Sequence, residues 1–552
     1  MKITRHFIRV GDREVHYRRA GSGPPFVLFH VSPQSSAFVI PGMLPLADSH
    51  TLIALDTPGY GESDALPQVA PTMVDYADAA LETLGALGIA KAPIFGSHTG
   101  ANIAVELARR APDRVAALVL DGLSLNTPEI SHDRIASYAP TFQPSADGAH
   151  LAWAWQHTRD QLIFWPWYQP HRPNRLKQDI KGADFVHDVV LAKMAATRYW
   201  LGYRAAFAHD YRDALYNCPV PTYFVTPDAD VHTAVERSLK GLPPNMFFVD
   251  TDHDGQVDAI AGVLAKVVGD SAIGPAARPA HRRRLYRDFV TVAGGQRLIR
   301  RAGVENGKPL VLLHGAMATS AALADRATAL AATRPVLAFD IAGNGDSDPI
   351  GAANLAAYAE DVRAAIAAAG VDGFDLYGDG LGATLALEVA RQAGPKAGKL
   401  ILDRPELPDS DTRKDMIANL APAIEARFDG SHFLTAWHML RDAALFWPWY
   451  RAKADAVRAI EPDIEPVALQ AKLLPWLKGR KTYGDFVRAA LGADTDKLLA
   501  AARRPCLVFG TSGDVLMEHA QRAAAKMAST TLVEVERLAP PTAAMTRFLD
   551  AT

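Results

Sequence analysis

The stretch FGSHTG at residues 95–100 follows a short apolar run and precedes the helix-like stretch ANIAVELARRAP. Gly96 and Gly100 flank His98, with one residue between each glycine and the histidine. Where a strand turns sharply into a helix, the two backbones pass so close together that glycine is needed on both sides. The spacing predicts a strand, a strained turn that holds the His98 side chain outward, and a helix. We term residues 96–100 the elbow.

The elbow belongs to a long internal repeat. Three pairs of segments show it: FIRVGDREVHYRRAG (7–21) with FVTVAGGQRLIRRAG (289–303), ALDTPGYGESD (54–64) with AFDIAGNGDSD (338–348), and FGSHTGANIAVELAR (95–109) with YGDGLGATLALEVAR (377–391). Each second copy lies 282 to 284 residues after the first. Because this offset is the length of a domain and far exceeds a solenoid repeat, we predict a duplicated domain.

Two domains of similar length follow from the repeat. The chain has 552 residues, which exceeds the roughly 250–300 residues at which single hydrophobic cores stop growing. We predict one domain at 1–270 and a second at 285–552. The segment at 271–284 is rich in Gly, Pro, Ala and Arg, and we expect it to be a linker.

Within each half, short apolar runs alternate with helical stretches. In the first half, for example, PFVLFH and AALVLD are apolar runs, and YADAALETLGALG has apolar residues at helical spacing. Strands that are apolar along nearly their whole length are typical of a mostly parallel sheet covered by helices on both faces. The predicted fold class is α/β, and ligands in such folds bind beyond the carboxyl ends of the strands.

Three motifs together resemble those of the α/β-hydrolase superfamily: the elbow, the His-x-x-Pro segment at 30–33 and the Asp-x-Pro-Gly-x-Gly-x-Ser loop at 56–63. The resemblance covers nearly the whole chain, in two copies. It implies two tandem α/β-hydrolase-like domains, each a mostly parallel sheet flanked by helices with a helical cap inserted. We expect the caps at about 125–215 and about 407–500, positions that the resemblance supplies.

The elbow departs from the usual pattern of the superfamily, which places Ser, and sometimes Asp or Cys, where the first half has His98. Ser97 is an alternative nucleophile, but that choice would put Phe95 and Thr99 where small residues belong. In the second half, Gly380 takes this position and has no side chain to react. The second domain is therefore expected to be catalytically silent.

The resemblance also implies an acid and a histidine in the first half. The acid falls at Asp230, with Asp228 and His232 as close competitors and Asp121 as a further option. The histidine falls at His253, after the last predicted strand, and the matching stretch of the second half has no histidine. The first half thus keeps an acid and a base, whereas the second keeps the acid alone.

The predicted catalytic residues are His98, His253 and Asp230. In the superfamily the acid orients the histidine, which takes a proton from the nucleophile. If His253 faces His98, one imidazole would be a neutral base and the other an acid. Three mechanisms remain open: activation of water, a covalent intermediate on His98, and proton transfer without hydrolysis. The resemblance places the oxyanion-binding backbone N–H groups at Ser32 and Thr99.

The cap segments carry the longest matched stretch of the two halves. A lid of aromatic, histidine and arginine side chains suits an aromatic or carboxylated small molecule. The second copy keeps the motif although its elbow is empty, which favours a role in packing or docking over catalysis. The candidate substrate-contacting residues of the first cap are His150, Trp155, Arg159, Trp165, Trp167 and Tyr168.

Composition argues against several classes of protein. The chain has 58 Lys and Arg against 61 Asp and Glu, a net charge of −3, which does not indicate a nucleic-acid binder. No apolar run reaches the ~20 residues of a membrane helix, and we expect no membrane association.

With two cysteines, Cys218 and Cys506, and no secretory signal, we expect a cytoplasmic protein without disulfides. No HExxH, CxxC or GxGxxG spacing is present, so we expect no metal and no cofactor.

The sequence therefore predicts an α/β-hydrolase-fold enzyme that acts on a small carbonyl compound by hydrolysis of an ester, a lactone or a C–C bond. The His98, His253 and Asp230 centre of the first domain would carry the reaction. Two alternatives remain: a cofactor-independent lyase or isomerase that uses the histidine pair for proton transfer, and a non-catalytic ligand-binding protein. The expected partner is a small molecule, and we expect the two halves to pack on each other.

Overall fold

The chain forms two compact units, Met1–Phe142 with Trp153–Pro279, and Gln143–Ala152 with Ala280–Thr552. The computed structural model describes residues 2–123, 125–177, 179–196, 198–267, 284–304, 307–351, 354–536 and 542–551. Apart from Arg284, the predicted linker at 271–284 lies outside the described residues.

In the described part of the first unit, eight strands form one mostly parallel sheet in the order β1-β2-β4-β3-β5-β6-β7-β8. Strands β1, β2 and β4 pair antiparallel, and the pairs from β4–β3 onward are parallel. Strands β3 and β4 are buried along their whole length because helices cover both faces of the sheet. The strands are β1 (Thr4–Val10), β2 (Arg13–Ala20), β3 (Pro25–Phe29), β4 (Thr51–Leu55), β5 (Ala92–Ser97), β6 (Val115–Asp121), β7 (Thr222–Phe224) and β8 (Met246–Phe248).

The helices begin where local capping residues allow it. Helix α2, for example, starts with a capping box in which Thr72 and Asp75 satisfy each other's backbone N–H groups. Helices α4 to α8 lie between β6 and β7, where the cap was expected. The helices are α1 (Ser36–Gly42), α2 (Met73–Ala86), α3 (Thr99–Arg110), α4 (Pro128–Ser137), α5 (Ala149–Ile163), α6 (Ala183–Ala195), α7 (Trp200–Ala208), α8 (Tyr211–Tyr216), α9 (Thr233–Arg237) and α10 (Gln256–Leu264).

The described part of the second unit repeats this sheet, again with eight strands, in the order β9-β10-β12-β11-β13-β14-β15-β16. Only the pairs that join β9, β10 and β12 are antiparallel among these strands. The strands are β9 (Tyr286–Val292), β10 (Gly295–Ala302), β11 (Leu310–Leu313), β12 (Val336–Phe339), β13 (Phe374–Asp379), β14 (Ala397–Asp403), β15 (Cys506–Thr511) and β16 (Thr530–Val535).

Helices flank the second sheet as they flank the first, with α14 to α18 between β14 and β15. The helices are α11 (Ala324–Leu330), α12 (Leu355–Ala368), α13 (Leu381–Ala393), α14 (Ser410–Asn419), α15 (Ser431–Ala443), α16 (Pro466–Lys478), α17 (Tyr483–Leu491), α18 (Thr495–Ala501), α19 (Met517–Lys526) and α20 (Thr542–Asp550). The predicted fold class is confirmed in each unit: a mostly parallel sheet flanked by helices. Among the described helices, none is both long and apolar enough to cross a membrane.

The sheet register of the first unit positions the elbow. Strands β5 and β6 run parallel, with Ser97 paired to Asp121 at their carboxyl ends. The residues that follow these two strands, His98 and Gly122, therefore emerge side by side at one edge of the sheet. This is the edge at which ligands bind in open α/β sheets.

Candidate active site

The elbow has the strained turn that its glycine spacing predicts. His98 lies between β5 and α3 with φ 49° and ψ −109°, in a region that residues other than glycine rarely adopt and that costs about 1–3 kcal/mol. A Cβ atom at Gly96 would lie 2.4 Å from Gly100 O, and one at Gly100 would lie 2.6 Å from Phe29 O. Glycine is required at both positions because a side chain would overlap the neighbouring backbone.

His98 pairs directly with the carboxylate of Asp230. Its Nε2 lies 3.4 Å from Asp230 Oδ2, and the two side chains are 28% and 22% exposed. The backbone N–H of His232 donates to Asp230 Oδ1 at 2.8 Å, which orients the carboxylate. Within the described part of the chain, Nδ1 of His98 has no hydrogen-bond partner. The arrangement leaves one imidazole nitrogen available to a substrate or to water.

The charges of this pair stabilise each other. Burial alone would lower the pKa of His98, but hydrogen bonding to Asp230 and its charge, with the charges of Asp121 and Glu236, raise it to about 8. Burial alone would raise the pKa of Asp230, but hydrogen bonding to His98 and the charges of His98 and His232 lower it to about 2. At neutral pH the pair is therefore mainly imidazolium and carboxylate, with a neutral fraction of His98 that grows as the pH rises.

A second imidazole, His232, lies against the first. The ring centroids of His98 and His232 are 4.9 Å apart in an edge-to-face arrangement, and those of Trp165 and His232 are 5.4 Å apart. Only 4% of His232 is exposed. Burial, followed by the charge of His98, lowers the pKa of His232 to about 3, so this ring is neutral at physiological pH. Its Nε2 is buried and has no hydrogen-bond partner among the described residues.

Two further carboxyl groups lie near His98. Ser97 Oγ donates to Asp121 Oδ2 at 2.9 Å, and burial raises the pKa of Asp121. Glu236 accepts the backbone N–H of Leu123 at 2.6 Å, and burial raises its pKa to about 7. Negative charge on either group favours the imidazolium form of His98. Ser97 is thus hydrogen-bonded to Asp121, which is a structural use of its hydroxyl.

The structure places His253 away from this cluster. His253 lies in the turn between β8 and α10, where Asp252 caps the turn by accepting the Gly255 N–H at 2.7 Å. Its side chain is exposed, and within the described residues it has no hydrogen bond, ion pair or ring contact. Asp228 is exposed as well. The residues brought together are therefore His98, Asp230 and His232, and the catalytic roles of all the predicted residues stay predictions.

The predicted oxyanion residues lie on two different elements. Thr99 is the first residue of α3, so its N–H has no acceptor within the helix. The carbonyl of Ser32 accepts the hydroxyl of Tyr203 from α7 at 2.6 Å, which ties the cap to the loop after β3. The oxyanion-binding role of both N–H groups stays a prediction.

Of the candidate cap residues, Trp165 contacts the histidine pair, through His232. The guanidinium of Arg134 lies 4.8 Å from the Trp165 ring on the cap side. Trp155 is buried within α5, and Arg159 is half-buried on the same helix. Trp165 therefore links the cap to the cluster of His98, Asp230 and His232.

The other recurring cap residues make similar structural contacts in both copies of the motif. Trp167 Nε1 donates to Tyr138 O at 2.7 Å and Tyr168 donates to Asp133, as Trp449 and Tyr450 donate to Leu420 O and Asp415. His150 belongs to the second compact unit, where its ring lies 5.1 Å from that of Trp437. Its Nδ1 accepts a backbone N–H at 3.1 Å, as does Nδ1 of His432. These contacts explain why the motif recurs without an elbow side chain.

The corner of the second unit keeps the backbone of the elbow and fills its space. Gly380 has φ 52° and ψ −121°, close to the values of His98. A Cβ atom at Gly380 would lie 2.8 Å from Glu406 Oε1, so a carboxyl group occupies the place of the missing side chain. Trp447 Nε1 donates to the other oxygen of Glu406 at 3.1 Å.

The neighbouring position has changed in a complementary way. In the first unit, Gly122 leaves room for the imidazole, since a Cβ atom there would lie 2.8 Å from His98 Nε2. In the second unit, the equivalent residue is Arg404, which pairs with Asp379 at 2.6 Å and with Asp403 at 3.2 Å. The first unit thus has His98 at the elbow and Gly122 at the neighbouring position. The second unit has Gly380 and Arg404 at these two positions.

Sequence reasoning named His232 only as a competitor for the acid and missed Glu236. The two residues are four apart at α9, a spacing that places side chains on one face of a helix and was available as a signal. Among the described residues, no group of three or more His, Cys, Asp or Glu side chains could hold a metal ion.

Comparisons with known proteins agree with this architecture. The family model "alpha/beta hydrolase fold" matches residues 24–149 and 308–524. The 2-(acetamidomethylene)succinate hydrolase of Mesorhizobium japonicum is 35% identical over 118 residues, which cover 21% of this chain and 42% of that protein. The 2-hydroxymuconate semialdehyde hydrolase of a Pseudomonas species is 33% identical over 149 residues, covering 26% and 51%. The chain thus spans about half or less of the length of these curated relatives.

Similar solved structures each cover about half of this chain. The enol-lactonase from Burkholderia xenovorans LB400 is 18% identical, with a TM-score of 0.39, and covers 48% of this chain and 100% of that one. The family match extends over more than half of the chain and occurs once in each half. The chain therefore belongs to the α/β-hydrolase fold family, with the fold present in two tandem copies.

Proposed function

We propose that the first unit is an enzyme that hydrolyses a small carbonyl compound, an ester, a lactone or an activated C–C bond, through His98 held by Asp230. The observation that carries the proposal is the 3.4 Å pairing of His98 Nε2 with Asp230 at a strained elbow, with Nδ1 left without a partner among the described residues. Both His98 and Asp230 were predicted from the sequence, whereas His232 takes the place beside them that was expected of His253.

The proposed mechanism uses His98 as a general base. With its Nε2–H directed at Asp230, neutral His98 takes a proton at Nδ1 from a water molecule that attacks the carbonyl carbon. The N–H groups of Thr99 and Ser32 stabilise the negative oxygen that develops. The imidazolium formed is favoured by Asp230 and then returns the proton to the leaving group. Neutral His232 adds no competing charge next to the imidazolium.

The curated relatives support this class of reaction. Two of them are named as hydrolases, one of 2-(acetamidomethylene)succinate and the other of 2-hydroxymuconate semialdehyde. Each name describes a small carbonyl compound that also carries a carboxylate. A substrate of similar size and chemistry is our proposal for this chain.

A second candidate is a cofactor-independent lyase or isomerase. The observation that favours it is the pairing of a charged imidazole, His98, with a neutral one, His232, at an elbow without Ser, Asp or Cys. Such a pair can remove a proton at one carbon and deliver one at another without using water.

We further propose that the second unit is catalytically silent. Gly380 offers no reactive side chain, Glu406 occupies the place of the missing side chain, and Arg404 stands at the position of Gly122. This part of the proposal predicts that no esterase activity remains once His98 is removed.

An isotope experiment separates the two reaction classes. A panel of activated aryl esters is incubated with the protein in water enriched in oxygen-18. Incorporation of one oxygen-18 atom into the acid product, without labelling by a fluorophosphonate probe, supports hydrolysis through His98. Conversion of a compound without incorporation would favour the lyase or isomerase. In parallel, His98→Ser is expected to gain fluorophosphonate labelling, because it restores serine at an intact elbow.

A further inference from the structure

A fully buried lysine lies in the cap of the first unit. Lys193 of α6 has no exposed surface, and its Nζ lies 2.7 Å from His157 Nδ1, 2.7 Å from Thr158 Oγ1 and 2.8 Å from Gln161 Oε1. Among the residues that the structure describes, no carboxylate lies within ion-pairing distance of this amine. A buried amine without a counterion lowers the stability of the folded protein.

The second unit provides an internal comparison for this site. The ungapped match that ends in FWPWY aligns His157 with Met439. Tyr199 and Tyr483 align as well, and each hydroxyl donates to an equivalent proline carbonyl at 2.6 Å. Counting six residues back from each tyrosine aligns Lys193 with Leu477.

The second unit has buried apolar side chains at the positions aligned with His157 and Lys193. Met439 and Leu477 are each only 1% exposed. The residues aligned with Thr158 and Gln161 are also apolar, Leu440 and Ala443. The fold is therefore stable without the polar cluster, and the cluster is not explained by packing. The buried Lys193 amine lowers the stability of the first unit, and the second unit has no such amine at the aligned position. This difference indicates a function of the first unit that the second unit does not share.

The cluster lies within the aromatic interior of the cap. The His157 ring stacks on Trp153 at 4.8 Å and meets Trp167 edge-on at 4.4 Å. The same interior includes Tyr199 and Tyr203, and the hydroxyl of Tyr203 bonds to the carbonyl of Ser32 in the predicted oxyanion loop. The polar cluster and the loop that carries Ser32 thus both contact this aromatic interior.

We propose that Lys193 and Gln161 form a subsite for the carboxylate of the substrate, and that the preferred substrates are small aromatic or aliphatic carboxylates with a hydrolysable carbonyl group. The inference rests on the proposed function, because it names the substrate class of the same site. Gln161 is half-buried, and its Nε2 is a buried donor without a hydrogen-bond partner within the described residues. A carboxylate that displaces Gln161 Oε1 from the amine would satisfy both donors.

The protonation state of the Lys193 amine gives a second observable, the uptake of a proton on binding. Burial lowers the pKa of Lys193 well below its ordinary value, which favours the neutral amine in the empty site. A bound carboxylate raises that pKa again, so binding takes up a proton from solution. Burial is the main cause that lowers the pKa of His157, which also contacts the amine, so this imidazole is neutral as well.

The test compares two esters of the same size and shape. These are 4-acetoxybenzoate, which carries a carboxylate, and 4-methylphenyl acetate, which carries a methyl group at that place. We expect kcat/KM of the wild-type protein to favour 4-acetoxybenzoate by about tenfold or more, the size of one charge-assisted hydrogen bond. Lys193→Met should raise KM for this ester alone, while Lys240→Met, at an exposed lysine, should change neither.

Either of two results with single proteins would overturn the proposal, and a double variant adds a third test. One is a wild-type protein that shows no preference between the esters. The other is a Lys193→Met variant that loses activity on both equally, as a packing defect would cause. The double variant His157→Met, Lys193→Leu copies the second unit, so it should melt no lower than the wild type while losing the preference. A lower melting temperature together with a retained preference would also contradict the assignment.

Failure of the proposed function can be told apart from failure of the subsite. If neither ester is hydrolysed, calorimetry of 4-hydroxybenzoate against p-cresol still tests Lys193. Tighter binding of 4-hydroxybenzoate, with uptake of up to about one proton that is lost in Lys193→Met, supports the subsite. Equal affinity for the two compounds, or binding without proton uptake, would contradict it.

Discussion

Nε2 of His98 lies 3.4 Å from Oδ2 of Asp230, so the residue at the elbow pairs directly with the acid of the site. In the usual arrangement of the superfamily, a separate histidine stands between the nucleophile and the acid. Here the residue at the elbow is itself a histidine and lies directly against the acid. A second imidazole, His232, lies beside it in neutral form. The mechanism that we propose from this pairing is proton transfer by a dyad, with water supplying the attacking oxygen.

Removal of the acid should change the pH dependence of catalysis. In Asp230→Asn the carboxylate that raises the pKa of His98 is gone, while burial still lowers it. We expect the rise of kcat/KM with pH, which has its midpoint near pH 8 in the wild type, to move down by roughly one to two pH units. Asp228→Asn, at an exposed carboxylate, is the matched control. Superimposable profiles for Asp230→Asn and the wild type would contradict the pairing.

The same pair should make folding stability depend on pH. The pKa of His98 is raised in the folded state, so its contribution is complete below about pH 6.5 and is lost as the pH rises through 8. The pKa of Asp230 is lowered, so its contribution is present above its ordinary value of 3.8 and is lost as the pH falls toward 2. A raised pKa of this size corresponds to about 2 kcal/mol of stability.

Urea unfolding of the wild type and His98→Gln measures this contribution. We expect the difference in unfolding free energy of the first unit to be largest near pH 6 and to shrink by about 2 kcal/mol toward pH 9.5. A difference that stays constant across this range would show that the ion pair does not contribute.

The space beside the elbow should be essential to the position of the imidazole. In Gly122→Ala the new Cβ atom would lie 2.8 Å from His98 Nε2, at a backbone φ of 72°. We expect at least about a tenfold loss of kcat/KM and about 1–2 kcal/mol of destabilisation. Gly241→Ala is a matched control, because Gly241 has φ 66° but nothing within 4 Å of its Cβ position. Equal activity of the two variants would contradict the role of Gly122.

The fold was predictable because several local signals agree. The two glycines of the elbow fix a strand, a sharp turn and a helix, and apolar strands such as β3 require cover on both faces. The closeness of His98 and Asp230 follows from the same logic, since the ends of parallel strands meet at one edge of the sheet.

The second imidazole was harder to predict. Strand β8 has three residues, and the turn that follows it places His253 in solvent. The short helix α9 turns back instead, so that His232 at its start lies against His98. Such loop directions depend on tertiary packing that a motif does not encode. Lys193 could not be recognised as a buried residue from the first copy alone, because a lysine in a helix is normally solvated. Its alignment with the buried Leu477 is the signal that distinguishes it.

The most direct test of the central claim compares two histidine variants in one assay. We expect His98→Ala to lower kcat/KM for a hydrolysed aryl ester by about 100-fold or more, the typical contribution of a general base. His253→Ala, at the exposed position, should stay within about twofold of the wild type, as expected for a surface substitution. If instead His98→Ala keeps full activity, or His253→Ala abolishes it, the dyad of His98 and Asp230 is not the catalytic centre.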